Sequence, residues 1–289
     1  MRKGEKIALV IEGGGFKSVF SAGVLDAFLM NKFNPFDIYI GVSSGAMSLS
    51  YYITGQYKTY FLLSKEVSVN EEFLSYKHAL SEQGYMDLKF LAEYAKKNKP
   101  LELQNMKDST ENKQFYIVGT NLDNGEAVYL EPNKQTIYRC LRATSSLPFF
   151  TKGKCKINGV DLMDGAWSDP IPAKSATDFG ANRIIIIRPH PLGYKVNGLS
   201  YLSLLAGYWW KNTPKVSDNF FKADNNYNEA VDFLTKKHKN IEILQICPDN
   251  LLKSGVVGTT KEDLTQDYHC GLEKGMAFLN TNFLKKATV

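Results

Sequence analysis

Cysteine is scarce. Only Cys140, Cys155, Cys247 and Cys270 occur in 289 residues, with no CxxC spacing and no histidine pattern beside them. A disulfide framework and a zinc module are both excluded on that ground, and a reducing, cytoplasmic location is the expectation. Long apolar runs are missing too, none approaching the roughly 20 residues of a spanning helix. The charged start Met1-Arg2-Lys3-Gly4-Glu5-Lys6 precedes an apolar stretch only as long as a strand, which is not the pattern of a signal peptide. Charge of one sign is in small excess, +5, with the lysines spread along the chain. That gives no footprint for nucleic acid, while peripheral contact with an anionic membrane surface is compatible with it. Internal repeats and low-complexity segments are absent. A hydrophobic content of 44% in a chain of this length suffices for one large domain or two small ones.

Against these absences, one stretch organises the chain. Asp37-Ile38-Tyr39-Ile40 follows Pro35 and reads as a buried strand, and Ala46 to Ile53 continues as a helix. Between them lies Gly41-Val42-Ser43-Ser44-Gly45. A sharp strand-to-helix turn needs small flanking residues, since a side chain at Gly41 or Gly45 would crowd the neighbouring backbone, and it holds Ser43 exposed. The helix dipole then favours negative charge developing on a substrate oxygen. Upstream, the strand-like Lys6 to Ile11 leads into Glu12-Gly13-Gly14-Gly15-Phe16-Lys17-Ser18 and a helix over Val19 to Phe33. Together these make a right-handed βαβ unit. In a parallel sheet both turns lie at the carboxyl edge, so amides of Gly13, Gly14 and Gly15 would form an oxyanion hole beside a Ser43 nucleophile, with Lys17 adding positive potential.

Nucleotide readings of the glycine loop fail. A Walker loop needs glycine where Ile11 and Phe16 stand, and a dinucleotide fingerprint needs a third glycine where Ser18 stands, with an acid at the end of the second strand. No cofactor and no metal are expected.

Further along, Tyr51 to Pro100 reads as helical, with Phe73, Leu74, Leu88, Phe90, Leu91 and Tyr94 as core candidates and the cluster Lys96-Lys97-Asn98-Lys99 as a solvated helix end. Phe115 to Leu122 and Glu126 to Glu131 read as a hairpin joined by Asp123-Asn124-Gly125. Lys134 to Thr144 reads as a short helix. Asp164, in Val160-Asp161-Leu162-Met163-Asp164-Gly165-Ala166, is by itself a turn residue. Arg183 to Arg188, with four consecutive isoleucines, is a strand buried on both faces. Leu199 to Trp210 carries Tyr201, Tyr208, Trp209 and Trp210; such aromatics suit a membrane interface or a pocket cap, but a helix packed on the core is the preferred reading. Ile241 to Cys247 is a last strand. A final helix runs over Thr260 to Phe283, with Thr260 and Asp263 as capping pair and Leu264, Tyr268, Leu272 and Met276 as its stripe.

Taken together, Gly13-Gly14-Gly15-Phe16-Lys17, Gly41-Val42-Ser43-Ser44-Gly45, Leu141-Arg142-Ala143-Thr144-Ser145-Ser146-Leu147-Pro148 and Asp164-Gly165-Ala166 resemble the patatin-like phospholipase family in order and context. The resemblance covers the first two thirds of the chain. It implies a three-layer α/β/α sandwich with a mainly parallel central sheet, the core in residues 1–195 and an extension, 196–289, packed on the same domain. It also implies a Ser43–Asp164 dyad without histidine and hydrolysis of lipid esters through an acyl-enzyme. Lys17 and Ser18 stand where the family usually has arginine and glycine, and Ala166 replaces the commoner glycine. Two rivals remain: an α/β-hydrolase triad, for which Ser43, Asp164 and His190 or His269 have the right chain order, and a lipid-binding protein without turnover. His78 and His238 carry no expected role.

Overall fold

The structure, a computed structural model, describes residues 4–78, 84–151 and 153–282. The end of the last helix at Phe283 and the side chain of His78 lie outside what is described. In chain order the elements are β1 (Ile7–Ile11), α1 (Ser18–Met30), β2 (Ile38–Val42), α2 (Ser44–Ile53), α3 (Thr59–Val67), α4 (Leu88–Asn98), α5 (Leu103–Thr110), β3 (Gln114–Asn121), β4 (Ala127–Leu130) and α6 (Ile137–Thr144). There follow β5 (Cys155–Ile157), β6 (Val160–Asp164), α7 (Ala173–Asp178), β7 (Arg183–Ile187), α8 (Tyr201–Trp209), α9 (Pro214–Phe221), α10 (Ala223–Thr235), β8 (Glu242–Ile246) and α11 (Lys261–Asn282).

The strands form one eight-stranded sheet in the order β5-β6-β3-β2-β1-β7-β8, with β4 added to β3. From β3 to β8 the pairs are parallel, and β4, β6 and β5 are antiparallel additions. Strand periodicity divides the core into two layers. Ile7, Leu9 and Ile11 face a layer with α1, α2, α3, α4, α6 and α11, while Ala8 and Val10 face α7 and α10. The four isoleucines of β7 are fully buried, because helices cover both faces of a parallel sheet. β8 pairs with β7 in this same sheet, and α11 packs along α1, so the last quarter of the chain shares the core of the first.

Several boundaries differ from the sequence reading. The first helix ends at Met30 rather than Phe33, with Lys32 in the left-handed region. Among the described residues the stretch 51–100 holds the end of α2 and the separate helices α3 and α4, of which α4 starts at an Asp87 cap whose carboxylate accepts from the amides of Lys89 and Phe90. α11 starts as expected, the Asp263 amide donating to Thr260 Oγ1 at 3.0 Å. The aromatic run is the clear correction. α8 turns Tyr201, Tyr208 and Trp209 outward, each about 70% exposed or more, and packs inward on Ser203 and Ala206, while Trp210 just past its end packs on Phe220 as expected.

Candidate active site

Ser43 sits between β2 and α2 with φ 52° and ψ −133°, a left-handed conformation that costs energy in a non-glycine residue. The surroundings enforce it. A Cβ at Gly45 would stand 2.5 Å from the Glu12 carbonyl oxygen, and one at Gly41 2.5 Å from Ala46 Cα, so both positions admit glycine alone. The Ser43 amide donates to Thr144 Oγ1 at 2.8 Å, and that hydroxyl donates onward to the Val118 carbonyl. Thr144, at the end of α6, thus pins the turn to β3. No role for it was visible in the sequence.

Asp164 reaches the same point from the opposite direction. β2 pairs with β3 through Val42↔Val118, and antiparallel β6 takes over with Gly119↔Asp164. β4 occupies the other edge at Ile117 to Thr120, so β2 and β6 share one edge and meet carboxyl end to carboxyl end. Ser43 and Asp164 are the residues at that meeting. Gly165 lies so close to the Val118 backbone that any Cβ would collide with it, which makes glycine obligatory after Asp164. The carboxylate accepts from the Ala166 amide at 2.9 Å, while the Asp164 amide donates to the Ser146 carbonyl at 2.9 Å. Burial raises the Asp164 carboxyl from its usual value to about 6, and hydrogen bonds from Ser43 and the Ala166 amide moderate that rise. A carboxylate in this state is ionised at neutral pH yet a far better base than one in water.

Gly13, Gly14 and Gly15 line the same cavity as Ser43 and Asp164. The Gly14 amide donates to Ser44 Oγ at 3.1 Å, and Ser44 Oγ is 2.6 Å from Ser18 Oγ. Ser18, fully buried, is therefore an anchor for Ser44, with no side-chain bond capping the helix it opens. The Gly13 and Gly15 amides carry no protein hydrogen bond among the described residues. Lys17 is turned aside: its Nζ lies 3.3 Å from His190 Nε2, and it does not line the cavity. Its partial burial depresses its pKa, although Glu12 and Asp267 oppose that.

Behind the loop is a buried charge network. Register pairs Ile11 with Ile187, so the next residues, Glu12 and Arg188, stand side by side, with Arg188 Nε 2.9 Å from Glu12 Oε2. Tyr227 donates to Glu12 Oε1 at 2.7 Å, and His190 Nδ1 is 2.9 Å from that oxygen. Despite its burial, Glu12 titrates below the usual range, because His190, Arg188 and Tyr227 stabilise the anion. An ammonium can only donate, so Lys17 and Glu12 together fix His190 with its proton on Nδ1. Among the described residues His190 makes no hydrogen bond to Ser43 or Asp164, and His269 is exposed on α11. His238 binds the Phe233 carbonyl. A triad is not assembled.

The cavity has a volume of about 580 Å³. One side is apolar, built by Met47, Leu63, Val67, Phe73, Leu88 and Leu91 from α2, α3, α4 and their connections. The rest of the lining mixes the polar Glu12, His190, Asn197, Ser200, Asp224 and Tyr227 with Trp167, Pro170, Val196 and Leu199. The division suits a molecule with a hydrocarbon chain and a polar head. Among the described residues no helix is long and apolar enough to cross a membrane, and no cluster of three His, Cys, Asp or Glu side chains could hold a metal ion.

Residues 9–177 match the sequence profile of the family described as Patatin-like phospholipase, and residues 213–283 match that of a domain of unknown function. The uncharacterized protein YjjU of Escherichia coli K12 is 30% identical over 286 residues, covering 96% of this chain and 78% of YjjU. The crystal structure of VipD from Legionella pneumophila aligns with a TM-score of 0.48 at 12% identity, over 96% of this chain and 67% of VipD.

Proposed function

The chain belongs to the patatin-like phospholipase family, and from that premise we propose that it is a serine hydrolase of lipid esters working through a Ser43–Asp164 dyad. The observation that carries this reading is the end-to-end meeting of β2 and β6, which sets a strained serine against a buried carboxylate at the wall of a largely apolar cavity. Ser43 Oγ attacks the ester carbonyl carbon as its proton passes to Asp164. The amides of the Gly13 to Gly15 loop receive the oxyanion, Gly14 exchanging Ser44 Oγ for the substrate oxygen. Each such donor contributes roughly 10²- to 10³-fold in rate. Collapse expels the alcohol, which takes the proton from Asp164; water, deprotonated by Asp164, then attacks the acyl-serine, and Ser43 Oγ takes that proton back as the fatty acid leaves. The acyl chain lies along Met47, Leu63 and Leu91, and the alcohol portion faces His190 and Tyr227.

Family membership supports acyl hydrolysis in general, and the named residues and the lipid class rest on the geometry. A lipid-binding protein without turnover is the second reading, favoured by Ser44 Oγ sitting on the Gly14 amide. Hydrolysis of graded p-nitrophenyl esters and of dispersed phospholipid separates the two. Turnover of at least one class, increasing with acyl length as the apolar wall fills, is expected; an inert wild-type protein would leave only the binding reading.

A further inference from the structure

Helix α8 is amphipathic in the reverse sense. Tyr201, Leu204, Leu205, Tyr208 and Trp209 recur at the spacing i, i+3, i+4, i+7, i+8, which places them on one stripe. That stripe faces solvent, with exposures of 73%, 37%, 39%, 69% and 74%. Among the described residues the face turned to the protein carries Ser203 and Ala206, both buried, and Gly207, which lies against the Phe221 ring. Phe149, itself 39% exposed, extends the stripe by an edge-on contact with Trp209 at 6.3 Å. The helix bears no charged residue, and Lys211, exposed with no ion pair among the described residues, stands two positions past its end. A water-facing patch of this kind is uncommon unless something covers it.

We propose that this stripe is the surface by which the protein seats itself on a lipid bilayer. Three features select lipid over other occupants. Tyrosine and tryptophan, with an apolar body and a polar tip, suit the boundary between headgroups and acyl chains. A stripe without charge, flanked by Lys211 on a chain of net charge +5, complements anionic headgroups over apolar tails. The cavity reaches the same helix from its buried side, since Leu199, Ser200 and Ser203 wall the chamber that holds Ser43, so a bilayer seated on α8 lies beside that chamber. This role rests on the lipid-ester reading of the site.

Co-sedimentation with vesicles of equimolar phosphatidylcholine and phosphatidylglycerol tests it, using Ser43→Ala protein so that the outcome is independent of turnover. Binding is expected, and Tyr208→Ser with Trp209→Ser lowers the affinity roughly 100-fold, the scale of losing two buried aromatic side chains. Trp209→Phe retains most of it. On a Ser43 background the double variant keeps its rate on a soluble short-chain ester while losing hydrolysis of vesicle phospholipid. Equal binding by parent and double variant, or binding by neither, would overturn the proposal. So would gel filtration showing a dimer that the double variant dissolves, since a second copy would then cover the stripe. If vesicles bind but no ester is cleaved, the hydrolase reading fails and the surface stands.

Discussion

Replacing Ser43 by alanine is expected to reduce ester turnover by about 10⁵- to 10⁶-fold, Asp164→Asn by about 10⁴-fold or more, and the two together by no more than Ser43→Ala alone. These magnitudes are those of triad replacements in serine hydrolases, whose members act as one unit. In the proposed dyad each residue is useless without the other: among the described residues Ser43 has no hydrogen bond to another side-chain base, and Asp164 has no other proton to remove. The asparagine of the Asp164→Asn variant would still accept from the Ala166 amide through its carbonyl oxygen, so the turn survives while basicity is lost. The melting temperature of that variant at neutral pH should not fall, because the native structure holds an ion there in surroundings that disfavour the charge. Turnover numbers and thermal denaturation of the three variants check this. Multiplicative losses would show that the residues act independently.

The second large effect is on pH. In the proposed dyad Asp164 acts in its ionised form, and burial sets its carboxyl at about 6 in the folded protein. The rate at limiting substrate is therefore flat above pH 7, half-maximal near 6 and lower by about tenfold for each unit below, so that about 1% remains at pH 4. An ordinary carboxylate would keep most of its activity at that pH. Because His190 is held by Glu12 and Lys17, His190→Gln should leave the midpoint in place. A midpoint that moved with that variant would assign the base to the histidine. The effect on stability has the opposite sign. The folded chain keeps a proton that the unfolded chain loses near pH 3.8, so this stabilising contribution is complete at lower pH and disappears as pH rises through about 6. Asp26, also raised to about 6 by burial, adds in the same sense.

What the sequence discloses of this molecule is what depends on neighbours in the chain. The elbow is legible because crowding at Gly41 and Gly45 is a matter of a few residues, and β7 because continuous isoleucine has few uses outside a covered sheet. The hairpin of β3 and β4 is legible from Asp123-Asn124-Gly125 for the same reason. The Glu12–Arg188 pair is not, since its members are 176 positions apart and meet only through the β1–β7 register. One signal did exist: each is a lone charge at the end of an apolar strand, and the two have opposite signs. Thr144 and Ser44 are opaque for another reason. A small hydroxyl residue has so many local uses that its partner, here the Ser43 amide or the Gly14 amide, appears only with the fold. With α8 the misreading has a simple source. A stripe of Tyr, Leu and Trp has the same periodicity whether it faces the core or the water, and only the small-residue face opposite, Ser203 and Ala206, points to the orientation found.

The most direct test of the Ser43–Asp164 account is covalent labelling with a long-chain alkyl fluorophosphonate, located by peptide mass spectrometry. Wild-type protein is expected to take one label, on Ser43, at a rate that falls with pH as the carboxyl near 6 is protonated and that drops by orders of magnitude in Asp164→Asn. A folded wild-type protein that takes no label at Ser43, or one whose Asp164→Asn variant labels just as fast, would contradict it.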